Sequence, residues 1–210
     1  MKRRSFIKAV PVLASFAYLP AFASQESDKR HLIAIGIAAS ILSLKHDINI
    51  GFDTVTIVTE SKPKFASDEI EFIEFNPPDS AYTFLGEHKY LKKEPFQVID
   101  LPMALRKAIR AKNGKVVMLA ALGKYTGTVL SKSISDEFDG ANNLRFINTI
   151  PFSFEGSFIQ NQSKLVAAEI SLKHQCQTLH LEDIREKYGN LAIRSAFKKT
   201  DEELKRMIIS

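Results

Sequence analysis

Only one cysteine, Cys176, occurs in the 210 residues. An internal disulfide is therefore excluded, and an exported form would be held together by packing alone. The thiol reads as buried and inert, with an intermolecular bridge as the alternative. Long apolar runs are also missing. The stretch from Ala9 to Phe22 is too short to span a bilayer stably, and no stop-transfer run follows it. A basic surplus is missing once the N-terminus is set apart. The chain carries 29 Lys and Arg against 24 Asp and Glu, but four of the basic residues (Lys2, Arg3, Arg4, Lys8) lie in positions 1–23, which hold no acid. Residues 24–210 keep 25 basic side chains against 24 acidic ones, a formal charge of +1. There is no aromatic-rich basic motif either, so nothing points to nucleic acid. Internal repeats and low-complexity tracts are absent.

What is present begins with a signal-like N-terminus. Lys2-Arg3-Arg4-Ser5-Phe6-Ile7-Lys8 leads into the apolar stretch, and Ala21-Phe22-Ala23 gives a small-x-small cleavage site before Ser24. The pattern resembles a twin-arginine signal, Arg-Arg-x-Phe-Leu-Lys. The alternatives are an ordinary Sec signal carrying two arginines, or an uncleaved anchor that would be the only membrane contact. The expected location is the periplasm or beyond, with cleavage between Ala23 and Ser24. The twin-arginine resemblance implies folding in the cytoplasm before export.

Residues 24–30 are polar and read as a linker. The remainder, 31–210, suits one domain with a real core. His31 to Ile37, Asp53 to Thr59, Ile70 to Phe75, Val116 to Leu122, Leu144 to Ile150 and Gln177 to Leu181 read as strands. Helical patterns cover Ala38 to His46, Leu101 to Lys112 with Pro102 near its first turn, a stripe of Leu130, Ile134 and Phe138, Ser157 to Lys173, and Leu191 to Ile209. Asp139-Gly140 closes the third of these. Ser80 to Val98 has no clean period. Strands alternating with helices predict an α/β fold with a doubly wound, mainly parallel sheet, and a ligand site at the carboxyl ends of the strands.

Two loops stand at such ends. Gly123-Lys124-Tyr125-Thr126-Gly127-Thr128 follows one apolar strand, and Pro151-Phe152-Ser153-Phe154-Glu155-Gly156 follows the next. A strand, a Gly/Thr loop and a helix start make an anion site, because glycine lets backbone approach and the helix supplies unpaired N–H groups. Each feature also has a plainer reading. The first loop alone is a common strand-to-helix turn. Glu155 suits a helix cap, Phe197 a core position and Asp201 a solvated helix acid. His174, Cys176 and His180 suggest a metal only if they share a strand face, and a structural role outweighs ligation.

The order of elements and the wording of the two loops resemble the GTPase domain of the FtsZ/tubulin family, roughly collinearly from His31 onward. PFSFEG is nearly an FtsZ signature, and the resemblance implies that Glu155 bonds ribose hydroxyls. GKYTGT stands where the family has Gly-Gly-Gly-Thr-Gly-Thr, which implies a phosphate cradle of Gly123, Thr126, Gly127 and Thr128. Phe197 and Asp201 match the family's guanine-packing phenylalanine and the carboxylate four residues on. The implied cofactor is GTP or GDP, and the residues by themselves imply neither.

Departures from the family pattern are as informative. Its glycine-rich first loop is reduced to Gly36-Ile37-Ala38-Ala39-Ser40, with Gly36 alone in place. Its Asn-Thr-Asp loop reads Val58-Thr59-Glu60, and its Gly-Ala-Gly γ-phosphate loop has no counterpart in Leu85 to Phe96. Ile159 stands for its arginine, and Lys124 and Tyr125 stand for two glycines. The loop that supplies catalytic acids to a neighbouring subunit, and the C-terminal domain, have no counterpart, so no catalytic residue and no metal ligand is assigned. The leading expectation is an exported FtsZ-like scaffold or binding module with a degenerate GTP pocket, working with a protein partner or with itself. The alternatives are a slow or partner-assisted GTPase connected with cell division or filament assembly, and a periplasmic small-ligand binder that reuses the old cleft.

Overall fold

The computed structural model describes residues 29–36, 51–62, 70–189 and 192–209. The signal segment, the helix expected over Ala38 to His46 and the first loop beyond Gly36 lie outside the described residues. The chain runs β1 (Arg30–Ile35), β2 (Thr54–Thr59), β3 (Ile70–Glu74), a 3-10 turn, then β4 (Tyr82–Leu85) and β5 (His88–Leu91). It continues through α1 (Met103–Ala111), β6 (Lys115–Ala121), α2 (Tyr125–Glu137), β7 (Leu144–Ile150), a second 3-10 turn, α3 (Ser157–Ser171), β8 (Gln175–His180), α4 (Leu181–Tyr188) and α5 (Ile193–Ile209).

Six strands form one sheet in the order β3-β2-β1-β6-β7-β8, with every neighbouring pair parallel. Counted along the sheet alone, this is the doubly wound order 3-2-1-4-5-6, with its reversal between β1 and β6. The inner strands are β-branched and apolar on both faces because both faces are covered. Ile33, Ile35, Met118, Phe146 and Ile150 meet Leu105 and Ile109 of α1, Leu130 and Ile134 of α2, and Val166 and Ile170 of α3. Leu32, Ala34, Ile57, Val117, Leu119 and Ile147 point the other way, toward Leu204 and Ile208 of α5. Residues of alternating parity thus serve two cores, the period of two that a strand imposes. Each fully buried aliphatic side chain contributes roughly 1.5–3 kcal/mol, so a truncation such as Phe146→Ala would cost about 3–5 kcal/mol.

α5 packs on the second of these cores through Leu204 and Ile208. At its end two arginines from the sheet hold its last carbonyls: Arg30 Nη2 donates to Ile208 O at 2.8 Å, and Arg145 Nη2 to Met207 O at 3.1 Å. Cations there complement the negative end of the helix.

The last strand and helix differ from expectation. β8 starts two residues earlier and stops one earlier than predicted, because Gln175, Cys176 and Gln177 make a polar edge strand with no apolar signal. Leu181 begins α4 instead, and buries beside Phe152 and Ala196. α4 itself had a readable signature, with Glu182 and Asp183 in its first turn and Arg185 and Lys187 in its last. The segment from Ser80 to Val98 contains the antiparallel β4–β5 hairpin, turned by Gly86 at φ 61°. Both faces of the hairpin are largely exposed, so no core imposed a period on it. Among the described residues, no helix is long and apolar enough to cross a membrane.

Candidate functional site

At the strand-order reversal, between β1 and β6, ligands of open α/β sheets bind. Gly36 ends β1 at φ 62°, and a Cβ built on it would stand 3.3 Å from the Gly127 amide and 3.4 Å from Thr126 Cβ. The end of β1 and the start of α2 therefore touch. Gly127 is fixed by packing rather than by a ligand: a Cβ there would fall 2.2 Å from Ala121 O at the end of β6. Gly123, at φ 95°, turns the chain from β6 toward α2. A Cβ on it would meet Ile159 Cγ2 and Pro151 Cγ, each at 2.9 Å, so it also lets the two loops close on each other.

Two polar groups of the first loop are spent on the loop itself. The Gly123 amide donates to Thr128 Oγ1 at 2.8 Å, and the Thr128 hydroxyl donates to Lys124 O at 2.7 Å. Thr128 is fully buried, and Thr126 and Gly127 are buried as well. One anion-friendly feature remains. α2 has no side-chain cap at Lys124, so its first-turn N–H groups have no side-chain acceptor.

In the second loop, Glu155 closes its own turn. Its Oε1 accepts from the Phe152 amide at 3.2 Å, and its amide donates to Phe152 O at 3.1 Å. Its other oxygen, Oε2, lies 3.3 Å from Lys124 Nζ on the first loop. That pair is half exposed and contributes about 1 kcal/mol at most, but it engages the remaining carboxylate oxygen. Glu182 of α4 supports the loop from below, accepting the Ser153 amide at 2.7 Å. This hydrogen bond holds the Glu182 carboxyl below the ordinary glutamate range, with Arg185 adding to it.

Phe152 is buried and carries two exposed rings: Phe154 stacks on it at 5.0 Å, and Phe197 of α5 meets it edge-on at 6.0 Å. Asp201 sits one turn beyond Phe197, on the same helix face and partly exposed. Gly36, Gly123, Thr126, Gly127, Thr128, Glu155 and Phe197 thus come together at one end of the sheet.

The histidines and the cysteine do not form a cluster. His174 lies before β8, where its Nε2 bonds Ser135 O at 3.0 Å and its ring packs on Phe146. Cys176 receives a hydrogen bond from Asn148 Nδ2 at 3.4 Å, and burial pushes its thiol pKa up. Among the described residues no three His, Cys, Asp or Glu side chains gather as a ligand set. Sequence reasoning missed the tie from Ser153 to Glu182 and the aromatic group of Tyr82, Phe96 and Tyr125. Glu182 follows directly on a strand and opens a helix, which was a usable signal. The aromatic group is long-range and left none.

No protein-family model matches the chain, and no curated protein matches it. Solved structures do. An empty FtsZ dimer from M. jannaschii superposes with a TM-score of 0.58 at 16% identity, covering 86% of this chain and 53% of that chain. The fold is of the FtsZ/tubulin GTPase-domain type. CetZ from Methanosaeta thermophila strain DSM 6194 gives a TM-score of 0.53 at 12% identity, covering 84% of this chain and 51% of its own. This chain therefore spans about half the length of the FtsZ-like structures it matches. Its residues that resemble the FtsZ loops are those gathered at one end of the sheet.

Proposed function

We propose that this chain is an exported, FtsZ-like binding or scaffold module whose nucleotide site is closed from within and does not hydrolyse GTP. The observation that carries the reading is the bond from the Gly123 amide to Thr128 Oγ1, buried inside the loop that would have to cradle phosphate. A buried donor already satisfied gains little by turning to a ligand, and Thr128 is held in place to accept it by its own bond to Lys124 O. Lys124 and Tyr125 add side chains where the family resemblance asks for bare backbone. Ile159 brings a methyl group against Gly123 where the family has an arginine. Export by a twin-arginine route supports the same reading, since a periplasm does not supply GTP.

Titration of residues 24–210 with GDP and GTP by calorimetry tests this. The parent is expected to show no saturation at micromolar nucleotide. The double variant Lys124→Gly, Tyr125→Gly restores the family's loop wording and is expected to bind at least about tenfold more tightly, a gain of about 1.4 kcal/mol. Micromolar binding by the parent, unchanged in the double variant, would sink the closed-site reading.

A further inference from the structure

Between the Gly123 loop, which contributes Tyr125, and the irregular segment leading into α1 lies a half-open cavity of about 350 Å³. That lies within the range of small-molecule sites. Phe96 and Tyr125 form an aromatic wall, with ring centroids 6.4 Å apart and planes inclined at 63°. Lys92 and Glu94 also line the cavity. Among the described residues neither side chain has a hydrogen-bond or ion-pair partner, although both are close in the chain and opposite in charge. The uncapped first turn of α2 begins at Tyr125 and adds a positive partial charge at the same wall. Burial raises the Tyr125 phenol above its ordinary value, so the ring stays neutral.

A free cation, a free anion and an apolar wall in one small cavity describe a single kind of ligand. The geometry points to a pocket for a free α-amino acid with an aromatic or large apolar side chain. Its carboxylate is received by Lys92, its ammonium by Glu94, and its side chain by Phe96 and Tyr125. The assignment goes beyond the scaffold reading; it shares Tyr125 with the Gly123 loop but uses neither the Gly123–Thr128 hydrogen bond nor Glu155.

The test is calorimetric titration of residues 24–210 with L-phenylalanine, L-tyrosine and L-leucine, alongside N-acetylphenylalanine and phenylalaninamide, which each lack one of the two charges. Saturable binding is expected for at least one free amino acid, weakened about tenfold or more by either blocked end. Lys92→Ala and Glu94→Gln should each weaken it by a similar factor with an unchanged circular dichroism spectrum, because both residues lie on the surface segment. Lys92→Ala should also blunt the discrimination against phenylalaninamide, and Glu94→Gln that against the acetylated form. Absence of saturable binding at millimolar amino acid would overturn the assignment. So would binding that is indifferent to both blocked ends and both variants. GDP titrated in the same preparation reads the nucleotide site independently, so failure of one reading is distinguishable from failure of the other.

Discussion

The amide of Gly123 donates to the hydroxyl oxygen of Thr128 at 2.8 Å, in the interior of the one loop that would have to face an anion. The same loop reaches the second loop through Lys124, whose ammonium lies 3.3 Å from Glu155 Oε2. The two contacts differ in weight. The half-exposed ion pair is a weak bond that solvent and salt screen. The buried hydrogen bond is costly to leave unmade, by about 1–3 kcal/mol. In the proposed reading the closure of the site rests on Gly123 and Thr128, with Lys124 and Glu155 as its outer edge.

Gly127 is expected to be indispensable for packing whatever the loop binds. Its would-be Cβ meets backbone, Ala121 O at 2.2 Å, so α2 must lift from β6 to admit it. Gly127→Ala should cost about 3 kcal/mol, the upper end of overpacking penalties. Gly140→Ala, at φ 80° in open space, should cost about 1–2 kcal/mol from backbone strain alone. Urea unfolding of the two variants compares them directly, and an equal or smaller loss at Gly127 would refute the close approach of helix and strand.

Acid is expected to loosen the second loop through Glu182. The Ser153 amide stabilises the Glu182 carboxylate in the folded state and lowers its pKa. That contribution is present above the ordinary glutamate range and is lost as pH falls through the lowered folded value. Between about pH 6 and pH 3 the parent should lose more melting temperature than Glu182→Gln, whose side chain cannot ionise. Parallel losses in the two proteins would remove Glu182 as a support of the loop.

The sheet was legible because its inner strands are buried on both faces. Val116 to Leu122 is an unbroken apolar run that suits a covered parallel strand, Leu144 to Ile150 is apolar at Leu144, Phe146, Ile147 and Ile150, and β6 and β7 occupy them within a residue. β8 was misjudged because an edge strand of Gln175, Cys176, Gln177 and Thr178 has no apolar face to show. The hairpin was unreadable because Phe84, Leu85 and Tyr90 are exposed and answer to no core. Loop wording located the residues that gather at one end of the sheet. It could not reveal that the Gly123 amide turns to Thr128, since the φ of 95° that aims it is a feature of the folded backbone.

Export is expected to depend on the arginine pair. Arg3 and Arg4 stand with Phe6 and Lys8 in twin-arginine spacing, and a folded passenger suits that route. Replacing both arginines by lysine should trap the precursor in the cytoplasm on cell fractionation. Normal processing of that variant would assign the chain to the Sec route instead.

The central claim is a site without turnover. Phosphoryl transfer is catalysed by positioning and charge stabilisation, and cooperating groups fail together when several are lost. Here Lys124 and Tyr125 replace glycines, Ile159 replaces an arginine, and Gly123 and Thr128 satisfy each other. The most direct measurement is phosphate release from GTP by residues 24–210 at high protein concentration, with Glu155→Ala alongside. The account predicts release no faster than buffer for both proteins. Saturable turnover by the parent that Glu155→Ala abolishes would contradict it and make the chain a GTPase.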